Sequence, residues 1–412
     1  MTDHHMPTAL SGLRVLDLSR ILAGPTATQL LADLGAEVIK IEKPGSGDDT
    51  RAWGPPFLKD AEGRETRESA YYLSSNRGKH SVAIDIATPE GQSLIRRMAQ
   101  TSDVLVENFK LGDLDRYGLG YDDLRKLNPK LIYCSISGFG RTGPNKHRAG
   151  YDFLIQAEGG LMSLTGDAVP MKAGVGVADV ACGLYATIGI LAAVEARHKT
   201  GKGQFIDIAL MDVQVALLVN QGVAFLTDGQ VPPRRGNDHP TIVPYGVFPA
   251  SDGDFILAIG NDQQFQKFAA LADAQALALD PLYAKNADRV RNRQVLIPIL
   301  RQLTIKRTTS NWIMALGAAG VPAGPINSLD RVFEGEQVAA RQMRIRLPHE
   351  GAGSGYVDVI GNPLKFSETP VHYTTSPPQL GADTDDVLKS VLNLSDQDIA
   401  ALRAQGVLGK QQ

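Results

Sequence analysis

Cysteine is scarce in this sequence, with two among 412 residues. Cys134 and Cys182 have neither the spacing of metal ligands nor the number that a disulfide framework requires, and both lie in apolar segments. We therefore expect two buried thiols in a chain that works in a reducing compartment, the cytoplasm.

The chain also lacks an excess of charge of either sign, since its formal net charge is −3. This argues against binding to nucleic acid or to an anionic membrane. The start, residues 1–5, lacks the basic and apolar regions of a signal peptide. The longest apolar run, about 175–194, is rich in Gly and Ala and carries Asp179, so it predicts a core helix rather than a membrane span. The histidines are scattered without ligand spacing, and we expect no metal site.

What the sequence does contain is a regular alternation of strands and helices. Strands are predicted at 13–18, 37–42, 81–86, 103–107 and 131–137, with helices between several of them. Strand–helix–strand units imply parallel pairing with right-handed crossovers. We expect an α/β fold whose large domain is Rossmann-like, with an open parallel sheet flanked by helices. A strand at 205–209 and one long helix at 212–225 follow.

The length of the chain makes two domains the natural expectation. A segment rich in Pro, Gly and Arg at 227–237 reads as a linker. We assign the first part of the large domain to 1–226, a smaller α+β domain to 227–329, and a segment that returns to the large domain to 330–412.

Open parallel sheets bind ligands at the carboxyl ends of their strands. Three predicted strand exits, at 19–25, 43–48 and 108–112, suit a nucleotide-like ligand. Arg20, Lys43, Lys110 and Arg116 are candidates for phosphate contacts, although each one alone is more readily a solvated loop charge. The run Gly138-x-Gly140-x-x-Gly143 fits a dinucleotide motif. However, no apolar helix or closing acidic residue follows it, so we reject NAD binding.

Asp179 precedes an apolar, small-residue segment at 181–195 that is predicted to be a buried helix. A carboxylate at the start of a helix is favoured by the free N–H groups there. Three roles are open from the residues alone: an N-cap, which is the commonest, a buried partner of an arginine, or a reactive carboxylate beside a ligand.

The ordered motifs AGYD at 149–152, GGLMSLTG at 159–166, VGVADV at 175–180 and HKTGKGQ at 198–204 resemble the class III CoA-transferase family, which includes α-methylacyl-CoA racemases. The likeness runs from about residue 10 to 388. It implies that Asp179 is the nucleophile and that a coenzyme A thioester is a substrate, with no permanently bound cofactor. It places Tyr151 at the catalytic centre, with a packed aromatic as the alternative, and the following residues around CoA: Arg20, Ile21, Ala23, Lys43, Ile84, Asn108, Phe109, Arg116, Tyr117 and Met211. From the residues themselves, Gly138 and Gly140 are interpreted as a loop over the thioester. His239, next to two arginines, suits a dicarboxylate acceptor, with a solvated linker as the alternative.

The resemblance implies transfer of CoA from an acyl-CoA to a carboxylic acid through an aspartyl anhydride and an aspartyl-CoA thioester. Racemases of the family carry a His where this chain has Tyr151, and a phenol is a poor base at neutral pH. Tyr151 therefore disfavours racemization, which is one alternative to transfer. The other alternative is a non-catalytic CoA-binding protein in which Asp179 is only a helix cap. The segments 234–245 and 320–327 are similar to those of succinyl-CoA:dicarboxylate transferases. The family also implies a homodimer of interlocked, ring-like chains, with His239 of one chain facing Asp179 of the other.

Overall fold

The computed structural model describes residues 8–409, which form two compact units. The first unit contains residues 8–161, 173–228 and 339–409, and the second contains 162–172 and 229–338. Residues 162–172 belong to the second unit although the segments before and after them belong to the first, and the sequence did not predict this. Residues 1–5, on which the signal-peptide argument depends, lie outside the described range.

The strands of the described chain are short and, in the main sheet, mostly buried on both faces. They are β1 (Arg14–Asp17), β2 (Glu37–Glu42), β3 (Phe57–Lys59), β4 (Glu65–Ser69), β5 (Lys79–Ala83), β6 (Val104–Glu107), β7 (Ile132–Ser137), β8 (Phe205–Ala209), β9 (Tyr245–Ala250), β10 (Gly253–Ala258), β11 (Ala323–Pro325), β12 (Arg344–Pro348) and β13 (Tyr356–Ile360).

The helices include one of 24 residues, α7, and many that are much shorter. They are α1 (Ala23–Asp33), α2 (Ala70–Leu73), α3 (Pro89–Gln100), α4 (Tyr121–Leu127), α5 (Asp152–Glu158), α6 (Leu161–Leu164), α7 (Val177–Thr200), α8 (Leu210–Ala216), α9 (Val219–Asp228), α10 (Asp262–Leu271), α11 (Gln275–Leu279), α12 (Asn286–Arg291), α13 (Arg293–Thr304), α14 (Thr309–Ala318), α15 (Leu329–Glu334), α16 (Glu336–Ala340), α17 (Thr384–Leu392) and α18 (Asp396–Ala404). Two 3₁₀ turns lie at Asp49–Ala52 and Asp115–Tyr117.

The main sheet of the first unit has the order β5-β2-β1-β6-β7-β8, and every adjacent pair is parallel. The predicted α/β class with an open parallel sheet is therefore confirmed. The chain moves outward from β1 in one direction to β2 and β5, and in the other to β6, β7 and β8. The strand order consequently reverses between β1 and β6. A reversal of this kind opens a crevice at the carboxyl ends of the two strands, where such folds bind ligands.

Helices cover both faces of this sheet. On one face, α1 and α7 pack against Val15, Val38, Val106 and Cys134. On the other face, α3 and α4 join α17 and α18 from the end of the chain around residues such as Leu16 and Leu105. Because both faces are covered, most positions of the strands β1, β2, β5, β6 and β7 are buried, including polar ones such as Lys40 and Glu42 in β2.

The second unit has its own core. The antiparallel sheet β11-β10-β9 packs with α10, α13 and α14 around Phe255, Phe268 and Trp312. The Trp312 indole N–H donates to the carbonyl of Thr304 at 2.6 Å, so the largest buried side chain keeps its polar atom satisfied.

The expectation of one long helix at 212–225 is wrong. The chain bends by 75° between α8 and α9, and Val219 has a φ of +34°. The segment between Val213 and Leu218 contains no Gly or Pro and is apolar on nearly all sides, so its sequence carries no signal for the break.

The length and apolar composition of α7 would allow it to cross a membrane, and the bent pair α8–α9 meets the same test. One side of α7, from Ala178 through Cys182 and Ala186 to Ile190, packs in the core of the first unit. This is the packing expected of a core helix, and it brings Asp179 in the first turn to the end of the sheet.

Candidate active site

The crevice between β1 and β6 opens into a cavity of about 260 Å³. The loops that follow β1, β6 and β7 form its walls, and the first turn of α7 contributes Asp179. The cavity therefore lies where the strand order predicts a ligand. It brings together nine residues that the sequence singled out: Arg20, Ile21, Ala23, Asn108, Phe109, Lys110, Gly138, Tyr151 and Asp179.

Asp179 does not cap its own helix. The N-cap of α7 is Gly176, and the carboxylate of Asp152 accepts hydrogen bonds from the backbone N–H groups of Ala178 (2.9 Å) and Asp179 (3.4 Å). Asp152 thus takes the capping role that the sequence left open for Asp179, since it binds the free N–H groups at the start of the helix. The Asp179 carboxylate is left facing the cavity.

The electrostatics of this carboxyl group are unusual. Burial, and then the negative charge of Asp152, raise the pKa of Asp179 from its ordinary 3.8 to about 7. Desolvation makes the ionised form more reactive than a solvated carboxylate, since less hydration must be removed before it attacks. A perturbed pKa in a cleft is characteristic of functional sites.

Two tyrosines lie near this carboxylate, and only one of them was predicted. Tyr151 lines the cavity and is 62% exposed. Tyr71 was missed. Burial raises the pKa of its phenol, and the negative charges of Asp179 and Asp152 raise it further. Tyr71 therefore remains a protonated hydrogen-bond donor, and its ring packs edge-on against Trp53 at 5.3 Å.

A second cavity of about 290 Å³ adjoins the first. It is lined by Lys43, Ile84 and Tyr117, three further residues from the predicted set. Arg20 and Phe109 line both cavities, and the Arg20 guanidinium lies 5.5 Å from the centre of the Phe109 ring. The two cavities together form one elongated site that extends from the end of β5 to Asp179.

Three predicted residues in the first unit lie outside both linings. The exposed Arg116 pairs with Asp113 at 3.0 Å. Met211 lies in the first turn of α8, and its N–H donates to the carbonyl of Gly138 at 3.0 Å. Gly140 has a φ of +84°, and its N–H donates to the hydroxyl of Ser137 at 2.9 Å. The Gly140 N–H is therefore already engaged within the loop.

His239 belongs to the second unit. Its ring lies 5.2 Å from that of Tyr245, and the Arg293 guanidinium donates to its carbonyl at 3.1 Å. Partial burial and the positive charge of Arg293 lower the pKa of His239, so the ring is neutral at pH 7. Also in this unit, the N–H of Gly260 donates to Gln264 Oε1 at 2.7 Å.

The loop after β7 adds basic side chains that the sequence did not assign to the site: Arg141, Lys146, His147 and Arg148. Arg141 pairs with the buried Glu107, and Arg148 pairs with Glu158. Their only signal in the sequence is a basic cluster that follows a glycine-rich turn, which is also common in solvated loops. Among residues 8–409, no group of three or more His, Cys, Asp or Glu side chains is arranged to hold a metal ion.

A ligand crevice at a parallel sheet, ended by a desolvated carboxylate, fits an enzyme that acts on a nucleotide-like thioester. The family model for CoA-transferase family III matches residues 10–384, and the chain belongs to this family of enzymes. It is 48% identical to a succinate–glutarate CoA-transferase of Agrobacterium fabrum over 94% of this chain and 97% of that protein. It is 42% identical to the human succinyl-CoA:glutarate CoA-transferase, over 97% and 90% respectively.

A solved structure agrees with the fold. A CaiB/BaiF family protein from Brucella suis superposes with a TM-score of 0.83 at 46% identity, covering 93% of this chain and 99% of that one. The predicted membership of the class III CoA-transferases is thereby confirmed, and the coenzyme A thioester is a substrate of the enzyme.

Proposed function

We propose that this enzyme transfers CoA from a dicarboxylyl-CoA, such as succinyl-CoA, to a second dicarboxylic acid, such as glutarate, with Asp179 as the nucleophile. The observation that carries the proposal is the desolvated Asp179 carboxylate, which does not cap α7 and lines the cavity at the carboxyl ends of β1 and β6. The substrates named for the two transferases of highest identity described above support the choice of dicarboxylates.

The chemistry proceeds by two anhydrides. The Asp179 carboxylate attacks the donor thioester, CoA thiolate leaves, and an acyl-aspartyl anhydride forms. The thiolate then attacks the aspartyl carbonyl, which releases the donor acid and leaves an aspartyl-CoA thioester. The acceptor carboxylate attacks this thioester and expels CoA thiolate, which attacks the acceptor's acyl carbonyl. This last step forms the new acyl-CoA and restores Asp179. The thioester energy is conserved throughout, so the cycle requires neither ATP nor a metal.

Each step passes through a tetrahedral oxyanion that needs hydrogen-bond donors. The N–H groups of Gly140 and Gly260 are not available for this role, because both are engaged within the chain. The start of α1 is a better source, because the first N–H groups of a helix lack intrahelical partners. Ala23 opens this helix and lines the cavity beside Asp179. Tyr151 lines the same cavity, and Tyr71, near the carboxylates, adds a protonated phenol.

We assign the second cavity to the nucleotide end of CoA. The exposed ammonium of Lys43 suits a phosphate, and Tyr117 with Ile84 offers an apolar wall for the adenine. The pantetheine arm then runs past Phe109 into the first cavity, which places the thioester near Asp179. Lys146 and Arg148, on the loop after β7, are the cations that suit the distal carboxylate of a dicarboxylic substrate.

We also propose the interlocked homodimer implied by the family. One side of α7 exposes Val180, Leu184 and Ile188 at helical spacing, and α9 exposes Val223 and Leu226, the latter by 81%. Soluble helices normally present polar residues on such a face, so a second copy of the chain is the expected cover. In this dimer His239 of one chain faces the Asp179 cavity of the other. A folded, active monomer at nanomolar concentration would contradict it.

The test of the activity is direct. The protein is incubated with succinyl-CoA and glutarate, and glutaryl-CoA is measured for wild type and for D179A. We expect product from wild type only, and hydroxylamine should trap an aspartyl hydroxamate in wild type. Exchange of the α-proton of a 2-methylacyl-CoA in D₂O, without transfer, would instead indicate the racemase alternative. Binding of CoA without either reaction would indicate a non-catalytic homologue.

A further inference from the structure

Ile21 has an unusual backbone. Its φ is +74°, in the left-handed region that is a genuine outlier for a β-branched residue. Residues in such conformations are strained, and they persist only where the surroundings hold them in place. Ile21 and its neighbours Arg20, Leu22 and Ala23 line the cavity that contains Asp179. The strain therefore lies in a wall of the proposed site.

Side chains hold the backbone of this loop at five successive polar groups. Asp17 accepts from the Ser19 N–H at 2.9 Å, and Lys40 Nζ donates to the Ser19 carbonyl at 2.9 Å. Asn108 bonds both the N–H (3.0 Å) and the carbonyl (2.7 Å) of Arg20. Asp48 accepts from the Ile21 N–H, at 3.2 and 3.3 Å from its two oxygens. The loop is thus held from several sides at once.

Asp48 and Lys40 form a buried ion pair that contacts the backbone of this loop. Both side chains are fully buried, and Lys40 Nζ lies 2.9 Å from Asp48 Oδ2. The N–H and hydroxyl of Thr50 also bond Asp48, at 3.0 and 2.7 Å. Burying such a pair costs desolvation free energy that its attraction need not repay, so a pair of this kind is weak evidence for a stabilising role. Instead of adding stability, a buried ion pair can serve to fix one conformation of the chain.

We propose that the buried Lys40–Asp48 pair is a positioning device that holds Ile21 in its left-handed conformation and so fixes the cavity wall at Arg20–Ala23. Asp48 restrains the Ile21 N–H, while Lys40 orients Asp48 and restrains the preceding carbonyl. Without the pair, Ile21 relaxes to negative φ and the wall moves relative to Asp179. This wall also adjoins the start of α7, because a Cβ on Gly176 would lie 3.1 Å from the Leu22 side chain. The kinetic consequence rests on the proposed function, whereas the conformational part does not.

The test is a double-mutant cycle between Asp48 and Ile21. Displacement of a wall by about 1 Å can cost about 10²-fold in rate. We therefore expect D48N to lower kcat/KM for succinyl-CoA by about 10- to 100-fold when residue 21 is Ile or Val. With I21G the same change should cost less than about threefold, because glycine adopts positive φ freely. Equal losses in the I21V and I21G backgrounds would overturn the proposal.

D33N provides the matched control. Asp33 is also buried and paired, with its two oxygens 2.8 and 2.6 Å from Arg77, but it makes no contact with the loop. The D33N substitution should lower the melting temperature, and adding I21G should not restore it. If I21G rescued D33N equally, the coupling to Asp48 would be nonspecific and the proposal would fail. A wild-type protein without transferase activity would instead contradict the proposed function.

A second measurement needs no change at Asp48, in case D48N does not fold. I21A and I21G both remove the Ile side chain, and only Ala retains the penalty at positive φ. We expect I21G to melt at a higher temperature than I21A, although glycine gives the more flexible unfolded chain. A higher melting temperature for I21A would show that residue 21 is not held at positive φ, and this would overturn the proposal.

Discussion

Replacing Asp179 with Asn should abolish transfer and at the same time stabilise the fold at neutral pH. The amide is close to isosteric with the carboxyl group but is not a competent nucleophile. The pKa of Asp179 is raised in the folded protein, from 3.8 to about 7, because the ionised form is desolvated and lies near Asp152. Removing this charge removes a destabilising feature of the fold.

The magnitude follows from proton linkage. Between about pH 4 and 7 the folded state binds the proton of Asp179 and the unfolded state does not, so wild-type stability falls as the pH rises through this window. A shift of about 3 pKa units corresponds to at most about 4 kcal/mol at about 1.36 kcal/mol per unit. Asp179 is only half-buried, and solvent screening reduces the expected gain to about 1–2 kcal/mol.

The assay is urea unfolding of wild type and D179N at pH 4.5 and pH 8, at one fixed protein concentration because a dimer's stability depends on it. The difference in unfolding free energy, D179N minus wild type, should be larger at pH 8 than at pH 4.5 by about 1–2 kcal/mol. A difference that is independent of pH would refute the raised pKa. A large loss of stability at both pH values would mean that Asp179 supports the helix after all.

The remaining predictions concern the surroundings of Asp179. D152N removes the neighbouring negative charge, so the acidic limb of the kcat/KM profile should move to lower pH; an unmoved limb would show that burial alone sets the pKa. R20A and K43A should raise KM for succinyl-CoA more than they lower kcat, with a smaller effect for the exposed R116A, and unchanged KM values would disprove the assignment of the CoA cavities. K146M should reduce kcat/KM for glutarate about tenfold relative to butyrate, since only glutarate has a distal carboxylate; an equal reduction for both acids would remove Lys146 from acceptor recognition.

Much of the first unit was predictable because its signals are local. Hydrophobic runs of strand length gave β2 and β8 with their observed bounds, and the order of strands and helices gave a parallel sheet. The strand exits at Arg20, Lys43 and Phe109 then followed from a general rule of such sheets. Asp179 was found from its place before an apolar helix, while its role came from the resemblance.

The sequence was least informative where distant residues determine the conformation. Asp152 accepts from the first turn of α7 although it lies 25 residues before Val177, and no local sequence pattern predicts a contact between residues so far apart. Lys40 and Asp48 looked like ordinary strand and loop charges, yet they are buried together beneath Ile21. A β-branched residue at positive φ contradicts local preference, and only the tertiary contacts of the loop account for it.

Oxygen transfer to Asp179 tests the central claim most directly. When the acceptor acid carries ¹⁸O in its carboxylates, the second anhydride returns one acceptor oxygen to the aspartate. After a single turnover with succinyl-CoA and labelled glutarate, mass spectrometry of the peptide that contains Asp179 should show a gain of one ¹⁸O, and repeated turnover can label the second carboxylate oxygen as well. Direct attack of the acceptor on the donor thioester leaves this peptide unlabelled. Active transfer with an unlabelled Asp179 would therefore contradict the account.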